Sequence, residues 1–301
     1  MNVRLLKGSL SEDDLIEALQ GVQILGIRSK TEVTRRVLAS SPSLEAIGAF
    51  CIGTNQIATE SAAERGVPVF NAPYANTRSV VELGLGEIIA LTRRLTVKNS
   101  MMHRGLWDKS ANGAHEVRGR TLGIIGYGNI GTQLSVLAEA LGMRVVFYDI
   151  EERLALGNAE HASSMKDVLS QSDVVSIHVR GLESNRSLIG SEELSQMKPG
   201  SVLVNLSRGF VVDVEALKEA LASGHLAGAA IDVFPEEPKK NGDPFGSELQ
   251  GMDNVILTPH IGGSTTEAQH DIGQFVGAKL IDYMRLGNTS MAMNVPNLSL
   301  P

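Results

Sequence analysis

The run TLGIIGYGNIGTQLSVLAEALGMRVVFYDI, residues 121–150, restricts the fold more than any other part of the chain. An apolar run, Leu122 to Ile125, leads into Gly126, Gly128 and Gly131 at G-x-G-x-x-G spacing. An amphipathic stretch follows, and a second apolar run, RVVFY, ends at Asp149. Strand, glycine loop, helix, strand and acid together make a βαβ unit, whose strands must lie parallel. In such a unit the first glycine makes a tight turn, the second lets backbone approach a pyrophosphate, and the third packs helix on strand. Amides at the helix start then hold the negative charge. Asp149, eighteen positions beyond Gly131, is placed to accept hydrogen bonds from adenosine ribose hydroxyls. Glu151 and Glu152 add negative charge that would repel a 2′-phosphate, so the expected cofactor is NAD, not NADP. Enzymes of S-adenosylmethionine use a similar loop and acid, so the choice falls to the chemistry elsewhere.

The rest of the chain repeats this alternation. VQILGIRS, LEAIGAF, VPVFNAP, VVSIHV, SVLVNLSRG, AAIDVF and NVILTPH read as further strands ending in loops, with helical patterns such as VEALKEALASG between them. Alternation predicts parallel sheets with helical crossovers. Val80 to His103 reads as one long helix, apolar at three- and four-residue spacing and free of proline, and suits an interdomain strut. One parallel-sheet unit is expected before it and another after it. The C-terminal helix TTEAQHDIGQFVGAKLIDYM is expected to return to the first unit, so that the chain crosses twice.

At 301 residues, two domains with cores of their own are affordable. A hydrophobic share of 43% and a net charge of −7 describe a globular chain with no basic surplus, so nucleic acid is not an expected partner. Cys51 is the one cysteine, which excludes an intrachain disulfide and a cysteine-rich metal site and suits a reducing compartment; no metal and a cytoplasmic location are expected. No apolar run has signal-peptide or membrane-spanning character, so no membrane association is expected.

The chemistry gathers at strand ends. In NVILTPHIGGST the apolar run must stop at Pro259, which presents His260 at the end of a strand, with Gly262 and Gly263 leaving room beside it. Arg208 follows the strand in VNLSRGFVVD, and Asp232 and Glu237 follow that in AAIDVFPEEP. In a parallel sheet all of these project from the same edge as the glycine loop. Arginine binds a carboxylate by a two-pronged fork, a carboxylate orients an imidazole, and an imidazole moves a proton near neutral pH. The set suits oxidation of an alcohol beside a carboxylate. Each member also has a bland reading: Arg208 as a helix cap, Glu236 and Glu237 as a solvated acidic loop, His260 as a structural histidine.

GIIGYGNIGTQ, NLSRGFVVD, AGAAIDVFPEEP and ILTPHIGGST resemble the signatures of the D-2-hydroxy acid dehydrogenases. GIRSKTEVT, FCIGTNQIA, VFNAPYANTRSVVELGLGE and HRGLWDKSA are most similar to the members that oxidise D-3-phosphoglycerate, and the likeness spans nearly the whole chain. The resemblance implies an α/β fold of two doubly wound parallel-sheet domains, a Rossmann-type NAD-binding domain at 76–263 inserted into a flavodoxin-like substrate domain at 1–75 and 264–301. It implies Arg208 as the carboxylate ligand, Glu237 as the group that orients His260, and His260 as the acid/base. It implies Asp232 on the nicotinamide carboxamide, with Asn129, Ile130, Asp149, Ser207, Gly262, Gly263 and the three loop glycines as further cofactor positions. Arg28, Ser29, Asn76 and Gln269 match substrate-side positions, and Lys7 and Lys109 suit a phosphate, although both also read as surface charges. The implied substrate is the small molecule 3-phosphoglycerate.

The sequence also departs from the family pattern. A strand and helix that usually precede the region of NVRLLKGSLSEDD are missing, as is the effector-binding domain that follows NVPNLSLP in regulated members; a fragment, a trimmed chain or a divergent short form is expected, with an unpaired edge on the first sheet. Arg180 stands after VVSIHV where the family commonly has proline, and the sequence assigns it no role. Trp107, the one tryptophan, reads as the anchor of a homodimer through the cofactor domain, or else as packed within its own subunit. Two other functions stay open: oxidation of another D-2-hydroxy acid such as glycerate or lactate, and an NAD-sensing corepressor-like binding protein.

Overall fold

The computed structural model describes residues 2–238 and 240–295; the end of NVPNLSLP, from Pro296 on, lies outside them. The chain divides into two compact units, Met1–Asn76 with Thr265–Pro301, and Thr77–Ser264. Among the described residues no helix is long and apolar enough to cross a membrane.

The first unit runs α1 (Glu12–Ala18), β1 (Ile24–Ile27), α2 (Arg35–Ala39), β2 (Ala46–Ala49), α3 (Thr59–Glu64) and β3 (Val69–Phe70). Its three strands are parallel in the order β1-β2-β3. Ser11 and Thr34 cap α1 and α2 by accepting from Asp14 N–H and Val37 N–H, which satisfies amides that the helix itself cannot. The last helix of the chain, Thr266–Leu286, packs on β2 and β3. Its contact requires Gly48: a Cβ there would lie 2.6 Å from Leu280 Cδ1. The outer side of β3 is covered by the chain returning after that helix, where Asn294 Oδ1 accepts from Val69 N–H at 2.8 Å. The outer side of β1 has no strand neighbour among the described residues.

The second unit runs α4 (Thr77–Thr92), α5 (Leu95–His103), β4 (Thr121–Ile125), α6 (Asn129–Ala140), β5 (Arg144–Tyr148), β6 (Glu160–His161), α7 (Met165–Gln171), β7 (Val174–Ile177), α8 (Ser191–Gln196), β8 (Val202–Asn205), α9 (Val214–Ala222), β9 (Gly228–Ile231) and β10 (Val255–Leu257); Thr266–Leu286 is then α10. The sheet order is β10-β9-β8-β7-β4-β5-β6, every pairing parallel. The order reverses at β4, and a reversal opens a crevice at the C-terminal strand edge where a dinucleotide fits. All nine strands read from the sequence form. The two-residue β6, Glu160–His161, has no apolar alternation and was not legible.

The stretch Val80 to His103, one long helix by its apolar pattern, is not continuous. It is two helices, α4 and α5, both inside the second unit, and not a strut. Arg94 takes the left-handed conformation at φ 51°, and Thr92 O accepts from His115 N–H at 2.9 Å instead of continuing the helix ladder. Apolar residues recur on both sides of the break, although α5 buries none of its side chains fully, so periodicity alone does not reveal it.

Candidate active site

The glycine loop has the form that its spacing predicts. Gly126 has φ +92°, and a Cβ on it would lie 2.7 Å from backbone atoms of His178. A Cβ on Gly131 would meet Gly126 O at 2.4 Å, whereas one on Gly128 would meet nothing within 4 Å among the described residues. The first and third glycines are thus packed tight, and the second leaves open space at the start of α6. Among the described residues no side chain caps that helix, so its first amides are available to an anion. Tyr127 anchors the loop: its ring stacks on Phe147 with centroids 3.7 Å apart, and its hydroxyl lies 2.6 Å from Ser135 Oγ. Tyr127 N–H donates to Asp149 Oδ2 at 2.7 Å, and Glu151 N–H to Oδ1 at 2.9 Å. Asp149 is fixed by backbone amides at the end of β5, with lone pairs left for ribose hydroxyls. These residues fit the adenosine and pyrophosphate of NAD.

The ends of β8, β9 and β10 bring the catalytic candidates together. His260 Nδ1 lies 2.8 Å from Glu237 Oε2 and 3.0 Å from Oε1. An ionised carboxylate only accepts, so Nδ1 carries the proton and Nε2 is left to exchange one with a ligand. The hydrogen bond that His260 donates to Glu237 holds the His260 pKa above the ordinary imidazole value, outweighing burial and the opposing charge of Arg208. Burial pushes the Glu237 carboxyl up, but the His260 bond and charge, Phe234 N–H and Arg208 bring it below its ordinary value. Arg208 Nη1 donates to Ser207 O at 2.7 Å, and Gly181 gives the arginine room: a Cβ there would lie 2.9 Å from Nε.

His260 stands in the left-handed region at φ 53°, which disfavours any residue with a Cβ. Asp232 holds it there. The Asp232 carboxylate, 2% exposed, accepts from Thr258 Oγ1 at 2.6 Å and from the N–H groups of Ile261 and Gly262, each at 2.8 Å, while Asp232 O accepts from His260 N–H at 2.8 Å. The acid expected on the cofactor's carboxamide is therefore first the clamp of the Thr258–Gly262 turn. Gly263 follows that turn, half-buried, and Asn129 and Ile130 open α6.

Sequence reasoning missed four groups. Asn205, at the end of β8, accepts from Ser207 N–H and Oγ–H through Oδ1 and donates to Arg208 O, so it shapes the loop that carries Arg208. An amide ending an apolar strand was the available signal. Thr258 is the Asp232 partner just before the proline. Gly209 touches backbone: a Cβ would fall 1.9 Å from Phe234 C, which locks the Arg208 loop to the one carrying Glu237. Glu87, on the apolar face of α4, is 4% exposed, and neither oxygen has a hydrogen-bond partner among the described residues. Burial, with the charge of Asp232, pushes its pKa up to about 8, so it is neutral at pH 7.

In the first unit Arg28, just past β1, donates through Nη2 to Gln269 Oε1 of α10 at 2.5 Å, joining two predicted substrate residues. Ser29 is exposed beside Arg28, and Asn76 ends the unit half-buried. Lys7 and Lys109 are exposed and form no ion pair among the described residues. Nothing in the geometry therefore singles out either lysine.

A reversed parallel sheet with open amides over a phosphate crevice, and a proton-exchanging imidazole on the same strand edge, define a dinucleotide-dependent dehydrogenase. The sequence model described as "D-isomer specific 2-hydroxyacid dehydrogenase, NAD binding domain" matches residues 85–262. The chain belongs to the D-isomer specific 2-hydroxyacid dehydrogenases, and its cofactor is NAD. It is 55% identical over 300 residues to the D-3-phosphoglycerate dehydrogenase of Escherichia coli K12, covering 100% of this chain and 73% of that one. It is 50% identical to the Dictyostelium discoideum protein of that name, over 99% and 74%. Among solved structures, the D-lactate dehydrogenase of Aquifex aeolicus complexed with NAD and lactic acid superposes with a TM-score of 0.81 at 27% identity, covering 95% of this chain and 90% of that one.

Proposed function

We propose that the chain oxidises D-3-phosphoglycerate to 3-phosphohydroxypyruvate, a reaction of serine biosynthesis. The observation that carries the chemistry is the His260 ring held through Nδ1 by both oxygens of Glu237, beside the charge of Arg208. His260 Nε2 takes the proton of the C2 hydroxyl. Glu237 orients the ring and stabilises the imidazolium that results, and Arg208 pairs with the substrate carboxylate. When bound, NAD would supply the acceptor for the hydride of C2. In the reverse direction His260 returns its proton to the carbonyl oxygen. The substrate class follows from the relatives' names, and Arg28, steadied by Gln269, is the cation we assign to the phosphate.

An initial-rate assay of NADH consumption across a keto acid panel tests this reading. The expected outcome is the highest kcat/KM with 3-phosphohydroxypyruvate; equal or better use of pyruvate or hydroxypyruvate would overturn it. We also read the chain as a cytoplasmic homodimer. Trp107 is 79% exposed, with Met102 and Leu106 exposed near it in sequence, and such a cluster favours association. Sedimentation at micromolar concentration checks this, and a monomer would refute the dimer.

A further inference from the structure

In the order β7-β4-β5 the loops after β7 and β5 flank the glycine loop, so they border the adenosine end of the crevice. A salt bridge joins them. Arg180 Nη2, after β7, donates to Glu151 Oε1 at 2.5 Å, and Arg153 Nη2 donates to Glu151 Oε2 at 2.5 Å. One carboxylate thus holds two guanidiniums, one on each oxygen. Arg153 Nε faces Asp149 Oδ2 at 3.6 Å, beyond hydrogen-bond range, and is a buried donor with no acceptor among the described residues. Its charge is balanced by Asp149, but the N–H itself makes no hydrogen bond, which is a cost for a buried donor.

This arrangement alters the electrostatics that favour NAD over NADP. Glu151 does not act as a bare negative charge, because the two arginines balance Asp149 and Glu151. Glu151 already occupies both guanidiniums. Such a phosphate would hang from the ribose hydroxyl nearest Asp149, two residues from Glu151, and its oxygens match the guanidinium forks as a carboxylate does.

We propose that Arg153 and Arg180 form a latent 2′-phosphate site masked by Glu151, and that this masking residue sets the preference for NAD. The inference rests on Asp149 as the ribose ligand. Its neighbouring charge still opposes a phosphate, so unmasking gives a gain in NADP affinity and not a full reversal.

The test is calorimetric binding of NAD⁺, NADP⁺, adenosine 2′-monophosphate and adenosine 5′-monophosphate to the full chain and its variants. In Glu151→Gln, and again in Glu151→Ser, the NAD⁺:NADP⁺ affinity ratio should fall about tenfold or more, as for a gained charge-assisted bond, with the 2′-monophosphate gaining over the 5′ isomer. Adding Arg153→Gln and Arg180→Ala to Glu151→Gln should abolish the gain. An unchanged ratio in both Glu151 variants overturns the proposal. So does a gain that survives loss of both arginines, because simple removal of a negative charge would then explain it. Asp149→Ala separates the underlying assumption: unaltered NAD⁺ affinity there means that the ribose assignment, and not the masking, has failed.

Discussion

His260 allows the demands of chemistry to be separated from those of the fold. Its φ of 53° costs a residue with a Cβ roughly 1–2 kcal/mol, a penalty glycine does not have. Glycine gives back about 0.5–1 kcal/mol through its freer unfolded chain. Comparing His260→Gly with His260→Ala removes the imidazole from both and leaves the Glu237 carboxylate equally without its ring partner. The difference between the two variants therefore isolates the backbone. His260→Gly should be the more stable by about 0.5–1 kcal/mol, or about 1–4 °C in melting temperature for a domain of this size. Both should lose on the order of 10²–10⁴ in turnover with little change in NADH affinity. Paired thermal melts with binding and turnover measurements decide the matter. If His260→Ala is as stable as His260→Gly, the turn is not strained at this residue; near-normal turnover in either variant would make the histidine structural.

Glu237→Gln removes the carboxylate that holds the His260 pKa up, so that pKa should fall. Reduction needs the protonated ring and is lost as pH rises through the His260 pKa, so its alkaline limb should move to lower pH; oxidation needs the neutral ring and should extend to lower pH. Superimposable pH profiles would refute the pairing. Gly209→Ala forces a Cβ to within 1.9 Å of Phe234 C and cannot be relieved by a side-chain rotation, so kcat/KM should drop about as far as for an overpacked core, with a stability loss of roughly 1–3 kcal/mol; a silent variant would mean that the loops are not locked. Arg28→Ala should raise KM for 3-phosphohydroxypyruvate more than for an unphosphorylated keto acid, and equal effects in a side-by-side assay would move Arg28 to the carboxylate or to the fold.

Residues 121–149 declared their structure in the sequence because a βαβ unit is local: its turn, approach and packing glycines lie within a few residues of the groups they serve. The strand ends at Arg208, Asp232 and His260 were legible for a related reason. Apolar runs ending at glycine or proline mark where a buried strand meets solvent, and a parallel sheet puts all such ends on one edge. What the sequence could not contain was the pairing of groups far apart along it. Thr92 O with His115 N–H ends a helix whose apolar period runs on. Asp232 is committed to the Thr258–Gly262 turn and holds His260 in a conformation that no local preference selects. Arg180 and Arg153 cancel the charge of Glu151, which in sequence looked free to repel. Periodicity reports which face is buried; which donor meets which acceptor is fixed only when the chain closes on itself, because a hydrogen bond or ion pair depends on distances that sequence separation does not carry.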